Sequence, residues 1–180
     1  MGFDALVATR FRASVEGCVS SLEEEHARRG DDGWTREVTT RLMMGGECVM
    51  VSGNMVGGVC SDKRGGNIML RVGKHQHDDA MRIPGIVECT YFPNKPSFGG
   101  GFVYIDVAGM GLAAKDIDEA TTRALDEMTM LAVDHAASLP VKSQGDKRKR
   151  APSKPPKPSK PSGGEETRVS KANPAKRRRR

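Results

Sequence analysis

The sequence predicts a two-layer α+β domain over residues 1–140, followed by a disordered basic tail over residues 141–180. Three observations predict it. Apolar residues recur at steps of three and four near both ends of the first 140 residues, and between them the period falls to two. Past Val141 apolar side chains nearly vanish, and six of the ten prolines appear there.

The elements follow in order. Phe3, Leu6, Val7, Phe11, Val15 and Cys18 make one helical stripe. Ser20 precedes Glu23 at capping-box spacing, which predicts a second short helix ending near Arg28, Arg29 and Gly30. Antiparallel strands then begin at Val38. Glu47–Val51 and Met55–Cys60 flank a hairpin turn at Ser52, Gly53 and Asn54, where Gly and Asn tolerate positive φ. Gly45 and Gly46 read as a second tight bend, and Ser61–Asn67 as a longer turn before a strand at Ile68–Val72. A short middle helix near His77–Arg82 is stopped by Pro84. Strands at Ile86–Phe92 and Phe102–Val107 follow, joined through Pro93, Pro96 and Gly99–Gly101. The last helix takes Asp116 as its cap. Ile117, Ala120, Ala124, Leu125, Met128, Leu131 and His135 form its expected buried stripe, and Pro140 lies just past its end.

Charge divides along the same boundary. Of 29 Lys and Arg and 23 Asp and Glu, residues 142–180 hold 15 and 3, a net of +12. The remainder holds 14 and 20, a net of −6. An acidic body therefore carries a basic arm, the usual mark of a segment that meets nucleic acid or another polyanion, or of one that only solubilises. A body of 140 residues can build its own core without disulfides or metal. Cys18, Cys48, Cys60 and Cys89 form no CxxC pair and lie in apolar stretches, so they read as buried free thiols of a reducing compartment. No apolar run reaches the length of a membrane span, and the N-terminus lacks a signal-peptide pattern. Gly2 is not followed by the Ser or Thr of a myristoylation motif, because Leu6 stands there. The expectation is an intracellular protein, of cytoplasm and nucleoid in a bacterium or of the nucleus in a eukaryote.

From Arg41 to Val59 the chain reads RLMMGGECVMVSGNMVGGV, with IMLRV at Ile68–Val72. Pro84-Gly85, GFVYIDVAG at Gly101–Gly109 and SLP at Ser138–Pro140 follow. These pieces, in this order, resemble the TfoX N-terminal domain family (TfoX/Sxy-like). Its members carry a Met-Phe-Gly-Gly hairpin, a Leu-x-Arg strand and a Gly-Phe-Val-Tyr-Val strand. The resemblance covers residues 36–140, and the stripe at Phe3–Cys18 sits where the family has a helix. Met44 stands in place of the usual Phe, Lys63–Gly66 lengthen a turn, and residues 20–34 read as an insertion. The last helix also lacks the tryptophan found in many relatives. The resemblance implies an α+β fold and a non-enzymatic role like the family's co-regulation of transcription in bacterial DNA uptake. It implies the fold more firmly than the function, since function belongs to sites.

The residues give no constellation for catalysis, and the expectation is a protein that is not an enzyme and needs no cofactor. His75 and His77 could face one side of an extended segment, but zinc needs three or four ligands and none lies near in sequence. Cys48, Cys60 and Cys89 fall inside strand patterns, which favours packing over nucleophilic work. His135 reads as a core or rim histidine. Gly99–Gly101 precede a strand rather than a helix N-terminus, which argues against a phosphate loop. The methionines at 43, 44, 50, 55, 69, 81, 128 and 130 are core candidates; an exposed patch of them would suit an adaptable partner surface.

The tail supplies the candidate binding residues. Lys154, Lys157 and Lys160 each precede a proline at a spacing of three, so a polyproline II helix would align them at intervals of about 9 Å. Lys147, Arg148, Lys149 and Arg150 form one flanking cluster, and Lys176, Arg177, Arg178, Arg179 and Arg180 the other. Such an arm can follow a phosphate backbone without reading bases, and with no aromatic residue it offers no base stacking. The same clusters read equally as nuclear-import signals. Three functional readings follow. The leading one is a regulatory or nucleoid- or chromatin-associated binding protein, with protein contacts (a partner or a homodimer) on the body and non-specific nucleic-acid affinity in the tail. The second is a protein–protein adaptor whose tail localises or solubilises it. A small-molecule or metal-binding body comes third.

Overall fold

The computed structural model describes residues 4–31, 33–43, 45–60, 67–89 and 101–142. The chain divides into two units, residues 1–147 and 148–180, and every described residue belongs to the first. Its elements are α1 (Ala5–Arg28), β1 (Val38–Met43), β2 (Gly46–Val51), β3 (Asn54–Cys60), β4 (Asn67–Arg71), α2 (His77–Ala80), β5 (Ile86–Glu88), β6 (Phe102–Ile105) and α3 (Glu119–Ser138). The strands form one antiparallel sheet in the order β1-β2-β3-β4-β6-β5. The fold is α+β.

The sheet alternates as a two-sided pleat does, apart from a bulge at Val56, where β2 passes from Val49 opposite Gly57 to Met50 opposite Met55. Val49, Val51, Val56, Ile68, Leu70, Val103 and Ile105 join Val7, Phe11 and Val15 of α1 and Leu125, Met128 and Val133 of α3 in one buried cluster. Cys60, Met69, Cys89 and Tyr104 form a second cluster, and the strand positions of Cys60, Met69 and Tyr104 place it on the opposite face. The two helices also pack against each other, so one helical layer covers one face of the sheet.

The β2–β3 turn needs only Ser52 and Gly53, at φ 47° and 75°. Two consecutive positive φ values match the right-handed twist of the flanking strands, which is why such short turns favour glycine. Asn54, expected in the turn, is instead the first residue of β3 and fully buried. Its Nδ2 donates to the carbonyls of Ala136 (3.4 Å) and Pro140 (3.0 Å), tying the end of α3 to the hairpin. On the same strand Gly57 makes room for a helix: a Cβ there would lie 2.9 Å from the Phe11 ring and 2.3 Å from the Met69 carbonyl oxygen.

Several expectations are corrected. The second helix after Cys18 does not exist, because α1 runs unbroken to Arg28 and the Ser20 hydroxyl donates to Glu16 O inside it. Val19 and Leu22 continue the buried stripe, so packing carries the helix through the capping signal. It ends where the sequence indicated: Gly30 (φ 84°) donates to Ala27 O and Asp31 to His26 O, the paired bonds of a glycine-terminated helix. At α3 the cap is Asp118, not Asp116; its Oδ1 accepts from Thr121 N at 2.6 Å. Leu125 and Met128 are buried there as expected, but the rest of the buried face is Thr129, Ala132, Val133 and Ala136. Ala120 is exposed, and Ile117, Ala124, Leu131 and His135 lie at the rim. The C-terminal half of α3 is apolar around much of its circumference, so period alone cannot choose the face. β6 stops at Ile105 because Asp106 starts a turn, accepting from Gly109 N at its Oδ1 and Met110 N at its carbonyl. β5 stops at Glu88; the expected strand residues Thr90, Tyr91 and Phe92 lie outside the described residues, as do Met44, Gly99 and Gly100.

Asn54→Ala is expected to cost about 2 kcal/mol, since it strips a donor from two carbonyls at a helix end. Gly57→Ala is expected to cost about 2 kcal/mol or more through overpacking against backbone and the Phe11 ring. Urea denaturation followed by far-UV circular dichroism checks both. An unchanged midpoint in Gly57→Ala would show that α1 does not seat on β3 as described.

Candidate functional site

Three places in the body bring side chains together. The first is a groove of about 830 Å³ between α1 and α3, lined among others by Arg10, Ser14, Cys18, Ile117, Asp126 and Met130. Several of its polar groups already serve the fold. The Arg10 guanidinium donates to the carbonyls of Leu112 and Ala114 (2.6 Å each) and Lys115 (2.7 Å), clamping the connection into α3. Ser14 Oγ donates to Asp126 Oδ1 at 2.5 Å, and Cys18 Sγ to the Asp126 carbonyl at 3.6 Å. Burial, with Asp126 nearby, pushes the Cys18 thiol up to about 11, so it stays protonated at neutral pH. The groove thus offers shape and apolar surface rather than an activated nucleophile.

The second place is the opposite face of the sheet. Cys48 and Cys60 lie one diagonal step apart across β2 and β3, and none of the four cysteines is in a disulfide. Burial, then its neighbour Cys60, raises the Cys48 thiol to about 11. Among the described residues no group of three or more His, Cys, Asp or Glu is placed to hold a metal ion. His75 is exposed, and His77 contacts Asp78 through Nδ1 at 3.3 Å. Of the eight methionines considered as core or patch, only Met43 is exposed among those described, so no methionine patch forms there.

The third place is the free edge of β1, where Leu42 is 79% and Met43 40% exposed. Strand pattern alone did not flag it, because a strand's position in the sheet is not written in its own residues. The nucleic-acid candidates (Lys147, Arg148, Lys149, Arg150, Lys154, Lys157, Lys160 and Lys176 to Arg180) all lie outside the described residues. Among the described residues no helix is long and apolar enough to cross a membrane.

His135 sits at the rim of α3, its ring filling the space that a side chain at Gly73 would need. Burial, helped by Arg71 and His75, lowers its pKa from the ordinary 6.5. The folded ring therefore takes up its proton less readily than the unfolded one, and the unfolded chain binds the extra proton as pH falls past about 6.5. Stability at pH 5.5 should lie below that at pH 7.5, and His135→Gln should narrow the difference. Urea midpoints of both chains at the two pH values check this; an equal difference in both would acquit His135.

No family model, no curated protein and no solved structure matches this chain.

Proposed function

We propose that the chain is a non-enzymatic binding protein of regulatory or nucleoid- or chromatin-associated type. In this reading the acidic body makes protein contacts, and the basic tail supplies non-specific affinity for nucleic acid. The observation that carries the proposal is the segregation of charge, +12 over residues 142–180 against −6 over the remainder. A solubilising surface has no need to sort its charges by sign into separate segments. An arm that exchanges condensed counterions on a polyanion does. The exposed apolar edge at Leu42 and Met43 also supports protein contact by the body, the property that this reading shares with a pure adaptor.

Neutralising about 8 phosphates predicts a slope of log K against log salt near −7 on duplex DNA. Base sequence should matter little, because direct readout needs side chains held in register with a groove. A chain shortened to residues 1–142 keeps the Lys142 N–H bond to Ser52 O and should lose nearly all DNA affinity. Replacing Arg177–Arg180 with Ala should make the salt slope shallower by up to about 4. Fluorescence anisotropy with labelled duplexes of two unrelated sequences checks all of these. Sequence-selective binding by residues 1–142 would place the reader in the body and overturn the proposal, and no binding by the full chain would leave the adaptor reading.

A further inference from the structure

From the free edge of β1 we infer that the body pairs with a second copy of itself, strand against strand, to form one continuous twelve-stranded antiparallel sheet. β1 ends the strand order, with β2 on one side only. Ser52 donates its backbone N–H to Glu37 O at 2.8 Å, so Glu37 turns its backbone groups toward β2. In an antiparallel ladder the direction alternates, so Thr39, Arg41 and Met43 do the same. Val38, Thr40 and Leu42 then present their N–H and C=O groups outward, and among the described residues nothing in the backbone pairs with them.

Unpaired edges are usually blunted by proline, by inward-pointing charge or by a cover. The outward residues here are Val, Thr and Leu, and from Thr40 to Met43 the strand is exposed. The occupant is specified by charge. Glu37 and Arg41 share one face with Thr39, since all three line the same shallow depression beside Ser52 and Lys142. Both are exposed, and neither takes part in an ion pair among the described residues.

Placing a two-fold axis at Thr39 sets Glu37 of each copy opposite Arg41 of the other. These positions fall in the non-hydrogen-bonded class, where facing side chains approach most closely. The same register sets Val38 opposite Thr40 and brings Leu42, the most exposed large apolar residue among the described residues, diagonal to Val38 of the second copy. Slipping the axis to Thr40 faces Glu37 with Met43, and slipping it to Arg41 sets arginine against arginine. One register therefore satisfies both charges twice, as a self-complementary interface requires. The inference does not depend on what the tail binds.

The test is sedimentation of the full chain at about 0.15 M salt, where screening is short-ranged. A reversible monomer–dimer equilibrium is expected. Glu37→Arg and Arg41→Glu should each weaken the dimer by about tenfold or more, because two attractive pairs become two repulsive ones. The double variant should restore it. Thr40→Pro removes an outward donor without touching the β1–β2 ladder and should also give monomer; far-UV circular dichroism reports whether each variant stays folded. A monomeric wild-type chain at high micromolar concentration overturns the inference. A dimer indifferent to both charge reversals overturns it equally, as does a double variant that stays monomeric.

Discussion

A phenylalanine ring seated against a strand that has no side chain to meet it is the contact on which this body depends. Phe11 is fully buried, and its ring comes so near Gly57 that one methyl group would collide with it. That approach sets the height of α1 above the sheet, and the height decides what else can pack. With α1 low, Ser14 and Cys18 reach Asp126 on α3, and Arg10 reaches three carbonyls of the connection before it. Asn54 fastens the far end of α3 to the hairpin. The polar contacts between the helices are thus consequences of an apolar fit, as expected where close packing rather than hydrogen bonding supplies most of the stability.

The proposed function, by contrast, draws on parts of the molecule that the core does not constrain. The charge contrast between body and tail requires no particular tertiary contact, and the phosphate-following role proposed for the tail needs no fixed geometry. The β1 edge is likewise a boundary of the fold rather than a site built into it. Both features tolerate change in the core so long as the sheet keeps its order.

Much of the fold was legible because local chemistry and tertiary packing agree. Glycine at 53 suits a turn of positive φ, Gly30 suits a helix end, and period-two runs became strands. Where they disagreed, packing won. Ser20 and Glu23 carry a genuine start signal, yet Val19 and Leu22 hold the helix together through it. The face of α3 was read correctly at Leu125 and Met128 and misjudged beyond them, because Leu131 and His135 continue a stripe as good as the one through Ala132 and Ala136. For the candidate sites, composition marks the tail directly, since charge and proline content need no neighbours to be read. Asn54 looked like a turn residue because its partners lie more than 80 positions away. Arg10 and the β1 edge were hidden for the same reason: each takes its meaning from which strand or loop comes to lie beside it.

Trp34 is the chain's one tryptophan, and it lies where α1 hands over to the sheet. Its ring stacks on His26 with centroids 4.4 Å apart, and the Arg36 guanidinium sits 4.9 Å above it. Arg36 in turn donates its backbone N–H to Glu23 Oε1 and its side-chain N–H to Ala137 O. Intrinsic fluorescence of this protein is therefore a local probe of one joint, where the end of α1, the approach to β1 and the end of α3 meet. An emission change that precedes the loss of helix signal would identify that joint as a hinge, opening while the rest of the sheet is still intact.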